Sequence, residues 1–261
     1  MDLNLRGKVY IVTGGSKGIG EGISRAIAAE GGIVVVATRS EGAVTTDFIA
    51  ELKAGGTDAY AIFGDLQEVE NCKKVIDATV KKYGRIDGIV NNAGVNDGAG
   101  LESGPEAFRK SINLNLFHYY DLVHYALPYL KESKGSIVNV SSKVALTGQG
   151  GTSGYAASKG AQLGLTREWA AELLPYSIRV NAVLPAEVMT PLYRKWLDSA
   201  FENPAKKEAE IIKKIPFEHR MTTKEEMANM VAFLLSDKSS HTTGQFMSVD
   251  GGYLHLDRSL T

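Results

Sequence analysis

Cysteine is almost missing: Cys72 is the only one in 261 residues. A lone thiol closes no internal disulfide and furnishes no multi-thiolate zinc site, so a reducing, cytoplasmic setting is expected. An excess of charge of either sign is missing too. The 29 basic and 30 acidic side chains leave a formal net charge of -1, which supplies no field to hold a polyanion, and nucleic acid is not expected as a partner. No stretch reaches the roughly 18 uninterrupted apolar residues of a membrane span, and the amino end has no long apolar segment behind a basic start, so no membrane segment is expected. Five histidines, His118, His124, His219, His241 and His255, show no close metal-binding spacing, and no metal is expected. Proline is scarce, and four of the seven, Pro185, Pro191, Pro204 and Pro216, fall in one short region.

What is present is ordinary for a globular chain: 44% hydrophobic and 23% charged residues, which removes disordered, collagen-like and coiled-coil classes. Short apolar runs alternate with helical periodicity. The pattern predicts strands at Val9–Thr13, Ile33–Thr38, Ala59–Phe63, 86–91, 136–141, 178–184 and Phe246–Val249. Between them it predicts helices at 21–30, 44–54, Val69–Tyr83, one long helix over 105–131, then 155–174, an interrupted helical stretch over 190–214, and Lys224–Leu235. Strands that read as continuous hydrophobic runs are buried by helices on both faces, which implies an α/β fold with one parallel sheet. No repeat or linker divides the chain, so a single domain over 1–261 is expected, with a proline-punctuated segment near 186–217 covering the substrate.

Thr13-Gly14-Gly15-Ser16-Lys17-Gly18-Ile19-Gly20 lies between the first strand and the first helix. Glycines there permit a tight turn and close approach to a pyrophosphate, whose charge the amides at the helix start stabilise. At the end of the second strand, where an acidic residue often binds the ribose hydroxyls, this chain has Arg39. Arg39 suits a 2′-phosphate, with Lys17 as a second positive charge, which favours NADP over NAD; the other reading is a solvated arginine stacked on adenine. Asp65-Leu66 closes the third strand, where the carboxylate suits the adenine amino group, and Asn91-Asn92-Ala93-Gly94 closes the fourth. Both also suit turns or caps.

Tyr155 and Lys159 are four apart on a predicted helix and share a face. A neighbouring ammonium favours the phenolate, so Tyr155 is expected to have a lowered pKa and to act as a general acid/base. Ser142 precedes it at the end of a strand.

With these motifs in order, the chain resembles the classical short-chain dehydrogenase/reductase family. Ile178-Arg179-Val180-Asn181-Ala182, Thr243-Gly244-Gln245 and Val249-Asp250-Gly251-Gly252 extend the resemblance over nearly the whole chain. It implies a Rossmann-type, doubly wound, seven-stranded parallel sheet flanked by helices, with NAD or NADP across its carboxyl edge, in a homotetramer. It implies Tyr155 as acid/base, Lys159 on the nicotinamide ribose, Ser142 on the substrate oxygen, and Asn115, rather than Asn113, as the structural and proton-relay asparagine. Gly14, Ser16, Lys17, Gly18, Ile19, Gly20, Asp65, Leu66, Asn92, Ala93, Gly94, Pro185, Val188 and Thr190 would line the dinucleotide, with Thr190 on the carboxamide. One departure is Ala186, where the family commonly has glycine after the sixth strand.

The substrate wall is expected from 95–100, 143–154 and the segment after Pro185, with Asn96, Gln149, Glu187, Tyr193 and Trp196 as candidate contacts. Polar groups beside aromatic ones suit a polyhydroxylated substrate, although Tyr193 and Trp196 also fit the core or a subunit interface. The segment Pro185-Ala186-Glu187-Val188-Met189-Thr190-Pro191 resembles that of bacterial sugar dehydrogenases similar to L-fucose dehydrogenase, which implies oxidation of an aldose to a lactone. Carbonyl or 3-oxoacyl reduction with NADPH is the enzyme alternative, and a nucleotide-sensing module without catalysis is the alternative of another class. The long helices over 105–131 and 155–174, with 246–261, could form a subunit interface or simply cover the sheet.

Overall fold

The computed structural model describes residues 2–256. Seven strands, β1 (Val9–Thr13), β2 (Ile33–Thr38), β3 (Ala59–Phe63), β4 (Gly88–Asn91), β5 (Ser136–Val140), β6 (Arg179–Pro185) and β7 (Phe246–Val249), form one sheet in the order β3-β2-β1-β4-β5-β6-β7. Every pairing is parallel. The order reverses between β1 and β4, and that switch point opens a crevice at the carboxyl ends of the strands, the usual ligand edge of such sheets.

The strands are valine- and isoleucine-rich because both of their faces are covered. Tyr10, Val12, Val34 and Val36 point into one apolar cluster with Ile23 and Ile27 of α1 (Gly18–Ala29), Phe48 of α2 (Ala43–Ala54) and Val231 of the helix Lys224–Leu235. Their neighbours Val9, Ile11, Val35 and Ala37 point into the other cluster, with Ile76 of α3 (Val69–Tyr83) and Leu122 and Trp169 from later helices. The period-two alternation of a strand thus feeds two cores from one sheet.

The single helix expected over 105–131 is instead α4 (Gly104–Ile112), a π-helical turn at Asn113–Phe117, and α5 (His118–Ser133). Hydrophobic spacing cannot register one inserted residue, whereas the fold does; at this turn Gln162 donates to the Asn115 carbonyl at 2.8 Å. The helix α6 covers Ser153–Glu172. The stretch 190–214 is divided into α7 (Pro191–Ala200) and α8 (Pro204–Ile212). Thr190 caps α7 by accepting from the Tyr193 amide at 3.1 Å, Asn203 caps α8 by accepting from the Lys206 amide at 3.0 Å, and a proline opens each helix. The last helix, α9 (Lys224–Leu235), begins with a capping box between Thr223 and Glu226. Among the described residues no helix is long and apolar enough to cross a membrane. Part of the 246–261 surface expected at a subunit contact lies outside the described residues.

Candidate active site

The glycine turn leaves β1 with Gly14 at φ 63° and Gly18 at φ 54°, the left-handed region that side chains resist. Gly20 is required by contact instead, since a Cβ there would sit 2.3 Å from the Gly14 carbonyl oxygen. The turn is pinned to β2 by the Gly14 amide donating to Ala37 O at 2.7 Å and to α2 by a 2.8 Å contact between the buried Ser16 and Thr45 hydroxyls. Lys17 stands exposed at the N-cap of α1 and makes no side-chain cap, so the first amides of that helix stay open to an anion. Ile19 packs toward the core, and Gly18 faces Thr190, whose methyl would lie 3.2 Å from an added Cβ. These features fit a dinucleotide pyrophosphate laid across the β1–α1 turn.

Thr13 is a residue that the sequence reading missed. Its hydroxyl accepts from the amides of Asn92 and Ala93, both at 2.8 Å, while Asn92 Nδ2 donates to Thr13 O at 2.8 Å. The ends of β1 and β4 are thereby stitched together under the nucleotide crevice. Its position as the last residue of β1, before the glycines, was the available signal.

Arg39 and Asp65 face each other, with Nε and Oδ2 3.8 Å apart, and both are solvent-accessible. Asp65 also accepts from the Gln67 amide and side chain. Two residues read separately therefore form one loose pair at the carboxyl ends of β2 and β3. Leu66 is buried in the apolar cluster, and its carbonyl accepts from the Cys72 thiol at 3.4 Å.

The central polar residues converge from four elements. Asn115, fully buried in the π-turn, accepts from the Val95 amide at 2.8 Å and donates to Ser111 O at 3.0 Å. It is thus Asn115 and not Asn113 that braces the loop after Gly94. Gly94 lies against Asn115 Oδ1 and Lys159 Nζ. On α6, Lys159 is 2% exposed, donates to Val140 O at 2.7 Å, and contacts the Tyr119 hydroxyl at 3.4 Å. Ser141 holds the same helix from β5, its hydroxyl donating to Lys159 O at 2.8 Å. Tyr155, one turn before Lys159, shares a hydrogen bond with Ser142. Three polar atoms around this cluster, Asn91 Oδ1, His118 Nδ1 and Gln162 Oε1, are buried with no hydrogen-bond partner among the described residues.

The electrostatics correct one expectation. Burial pushes the Tyr155 phenol up to about 12, opposed by the hydrogen bond from Ser142, and burial lowers Lys159 to about 7. The ammonium sits 5.5 Å from the centre of the Tyr155 ring, over its face rather than at its oxygen, and its hydrogen bonds go to Val140 and Tyr119. Desolvation outweighs charge pairing here, and both groups are driven toward their neutral forms.

Beyond the carboxyl ends of β5 and β6, Glu187 is 8% exposed, forms an ion pair with Lys143, and accepts from the Tyr193 hydroxyl at 2.7 Å. Burial and that carboxylate raise the Tyr193 phenol, which keeps it a donor. Lys143 lies 4.3 Å from the centre of the Tyr253 ring. Tyr193 meets Trp196 edge to face at 5.2 Å, and Trp196 meets Phe201 likewise. Asn96 accepts from Thr152 and from the Gly98 amide, and Gln149 is exposed in the loop before α6. Pro185 and Val188 are buried beside Glu187, with Val188 bridged to Thr222. Lys143 and Tyr253 were not singled out from sequence; the adjacency of Lys143 to Ser142 was the only hint.

A family model described as enoyl-(acyl carrier protein) reductase matches residues 14–254, a span that holds the glycine turn, Ser142, Tyr155 and Lys159. The chain belongs to the short-chain dehydrogenase/reductase family. It is 38% identical over 253 residues to the 3-oxoacyl-[acyl-carrier-protein] reductase FabG of Thermotoga maritima, covering 96% of this chain and 99% of that protein. It is 34% identical to the L-fucose dehydrogenase of Bos taurus, covering 97% and 91%. Among solved structures, that of Cj0485 dehydrogenase superposes with a TM-score of 0.95 at 47% identity, covering 100% of this chain and 99% of that one. This short-chain dehydrogenase/reductase is accordingly an NAD(P)-dependent oxidoreductase of small hydroxyl or carbonyl compounds.

Proposed function

We propose that the enzyme oxidises a polyhydroxylated substrate, an aldose to its lactone, with NADP preferred over NAD. The observation that carries this reading is the part-buried Lys143–Glu187 pair with Tyr193, next to Ser142 in sequence: it offers charged donors and acceptors that suit hydroxyls and would be costly to cover with an acyl chain. Bound nicotinamide supplies the hydride acceptor. Gly14, Ser16, Lys17, Gly18, Ile19 and Gly20 hold the pyrophosphate end, Asp65, Leu66, Asn92, Ala93 and Gly94 border the adenosine side, and Pro185, Val188 and Thr190 border the nicotinamide side. Arg39 would leave its loose pairing with Asp65 to take the 2′-phosphate.

Ser142 orients the substrate oxygen, and Tyr155 receives the hydroxyl proton as the carbon is oxidised. Lys159 holds the ribose and, when charged, favours the tyrosinate that burial alone disfavours. Asn115, through water, would connect Lys159 and Tyr155 to proton exchange with the solvent. Asn96, Gln149, Tyr193, Glu187 and Trp196 face the remaining hydroxyls and carbons of the substrate. The exposed apolar side chains of Phe108, Phe117 and Tyr120 on α4, the π-turn and α5 support a homotetramer, which light scattering would test.

A second reading, reduction of a carbonyl or 3-oxoacyl substrate, is favoured by the 38% identity to FabG. Initial rates at 340 nm decide between them. Aldoses, polyols and simple alcohols are run with NAD and NADP, and ketones and oxoacyl thioesters with NADH and NADPH. Selective aldose oxidation supports the first reading; failure on every aldose with turnover of a ketone moves the assignment to the second.

A further inference from the structure

Lys143 and Glu187 come from neighbouring strands at the same carboxyl edge. Lys143 follows Ser142 and lies three residues beyond the end of β5, and Glu187 lies two residues beyond the end of β6, whose Val183 is in register with Val140. Their side chains are only 13% and 10% exposed. One carboxylate oxygen of Glu187 takes Lys143 and the other takes the Tyr193 hydroxyl, while the Tyr253 ring lies against the ammonium. A buried ion pair of this kind is weak evidence for stability, because desolvating two charges offsets most of their attraction. Its bonding capacity is also far from filled, since an ammonium has three donors and a carboxylate about four acceptor sites.

We propose that Lys143 and Glu187 together recognise an uncharged vicinal diol of the substrate, and so make the enzyme select neutral polyhydroxylated compounds over both anionic and apolar ones. One hydroxyl accepts from Lys143 Nζ while its neighbour donates to Glu187. A substrate carboxylate or phosphate would have to displace Glu187 from Lys143 against its like charge. An apolar chain would cover both charged groups and return no hydrogen bond for the water removed. The inference rests on the hydroxylated-substrate reading above and adds to it the sign of charge that the pocket rejects.

The test compares L-fucose, D-galacturonate and cyclohexanol as substrates of the wild type, Lys143→Met and Glu187→Gln, with dinucleotide binding followed by fluorescence as a check of the fold. In Lys143→Met, kcat/KM for L-fucose is expected to fall about 10- to 100-fold, chiefly through KM, relative to cyclohexanol. In Glu187→Gln, where Lys143 is unmasked, the ratio of D-galacturonate to L-fucose turnover is expected to rise about tenfold or more, a gain that a merely structural role does not produce. The double variant Lys143→Gln with Glu187→Gln leaves no unpaired charge; if either single variant fails to fold, the double variant decides by losing the preference for L-fucose over cyclohexanol. Folded variants that keep all the wild-type ratios within threefold overturn the inference and leave the sugar reading standing. A wild type that oxidises neither sugar overturns the reading and the inference together, before any variant is compared.

Discussion

Lys159, fully enclosed, and Lys143, partly buried, stand on two flanks of one site, and their surroundings differ in kind. Lys159 stands among neutral partners, Val140 O and the Tyr119 hydroxyl, and burial lowers it to about 7. Lys143 stands against the Glu187 carboxylate, which a tyrosine holds in turn. The difference extends to the whole of each flank. The cofactor side is built largely from backbone: glycine turns, open helix amides, and the Thr13 hydroxyl gathering the Asn92 and Ala93 amides. The substrate side is built from side chains brought together from β5, β6, α7 and the segment after β7. Backbone recognition suits a ligand common to a whole family, whereas side-chain recognition can vary without disturbing the fold.

The sharpest division between the flanks is at Tyr155, which belongs to the chemistry of both. Tyr155→Phe keeps the ring but removes the proton acceptor, and kcat is expected to fall about 10²- to 10⁴-fold. Steady-state rates with the preferred substrate measure this; a loss confined to KM would return Tyr155 to a binding role.

The contrast between the lysines can be broken by pH. A lysine near 10.5 when unfolded and about 7 when folded makes the unfolded chain bind one more proton between those values, so this group's contribution to stability improves as pH rises through that window. Below pH 7 the folded state carries the buried ammonium at full cost. Lys159→Met is therefore expected to exceed the wild type in Tm most at pH 6.5, with the gap closing by pH 9. At about 1.4 kcal/mol per pH unit and about 2–4 °C per kcal/mol, the gap closes by roughly 5–10 °C. Tyr155 does not blur the window, because its raised value costs stability only above its unfolded value of 10. Differential scanning calorimetry across that range checks the sign; a gap that widens would place Lys159 in a charge-stabilised site.

What was legible in the sequence follows the same division. Val9–Thr13, Ile33–Thr38 and Ala59–Phe63 are the observed strands β1, β2 and β3 residue for residue, because runs covered on both faces announce themselves. The glycine turn and the Tyr155–Lys159 spacing were legible because each lies within one local stretch. The π-turn was not, since the contact that meets it comes from Gln162, 47 residues away from Asn115 in sequence. Lys143 and Glu187 lie 44 residues apart, and nothing local marks them as a pair. The expected lowering of the Tyr155 pKa failed for another reason: helical spacing places Lys159 nearby, but burial and the direction of its hydrogen bonds decide the sign.

Thr13 tests whether the backbone-built flank depends on one hydroxyl. Thr13→Val keeps the shape and leaves the Asn92 and Ala93 amides without their acceptor, which is expected to cost about 2–3 kcal/mol, or roughly 4–10 °C in Tm. Dinucleotide affinity should fall with it, because the β1 and β4 ends lose their common anchor. A Tm drop under 1 °C would mean that water or the turn itself replaces the hydroxyl.

The smallest effect is expected at Arg39, an exposed side chain at the edge of the cofactor flank. The guanidinium is 65% exposed, and its 3.8 Å approach to Asp65 is too long for a hydrogen bond, so little is lost when it turns to a 2′-phosphate and little is gained beyond a screened ion pair. Arg39→Ala is expected to lower the NADP-to-NAD ratio of kcat/KM about tenfold, the scale of one charge-assisted contact. Because the pair is exposed, the wild-type ratio should itself shrink as salt is raised from 0.05 to about 0.5 M, where the screening length falls well below 10 Å. Asp65 sharpens the point: in Asp65→Asn the carboxylate no longer competes for Arg39, and the NADP preference should rise rather than fall. A preference that is unchanged by either substitution and by salt would mean that the arginine stacks on the adenine, and that this flank discriminates between the two cofactors through its backbone alone.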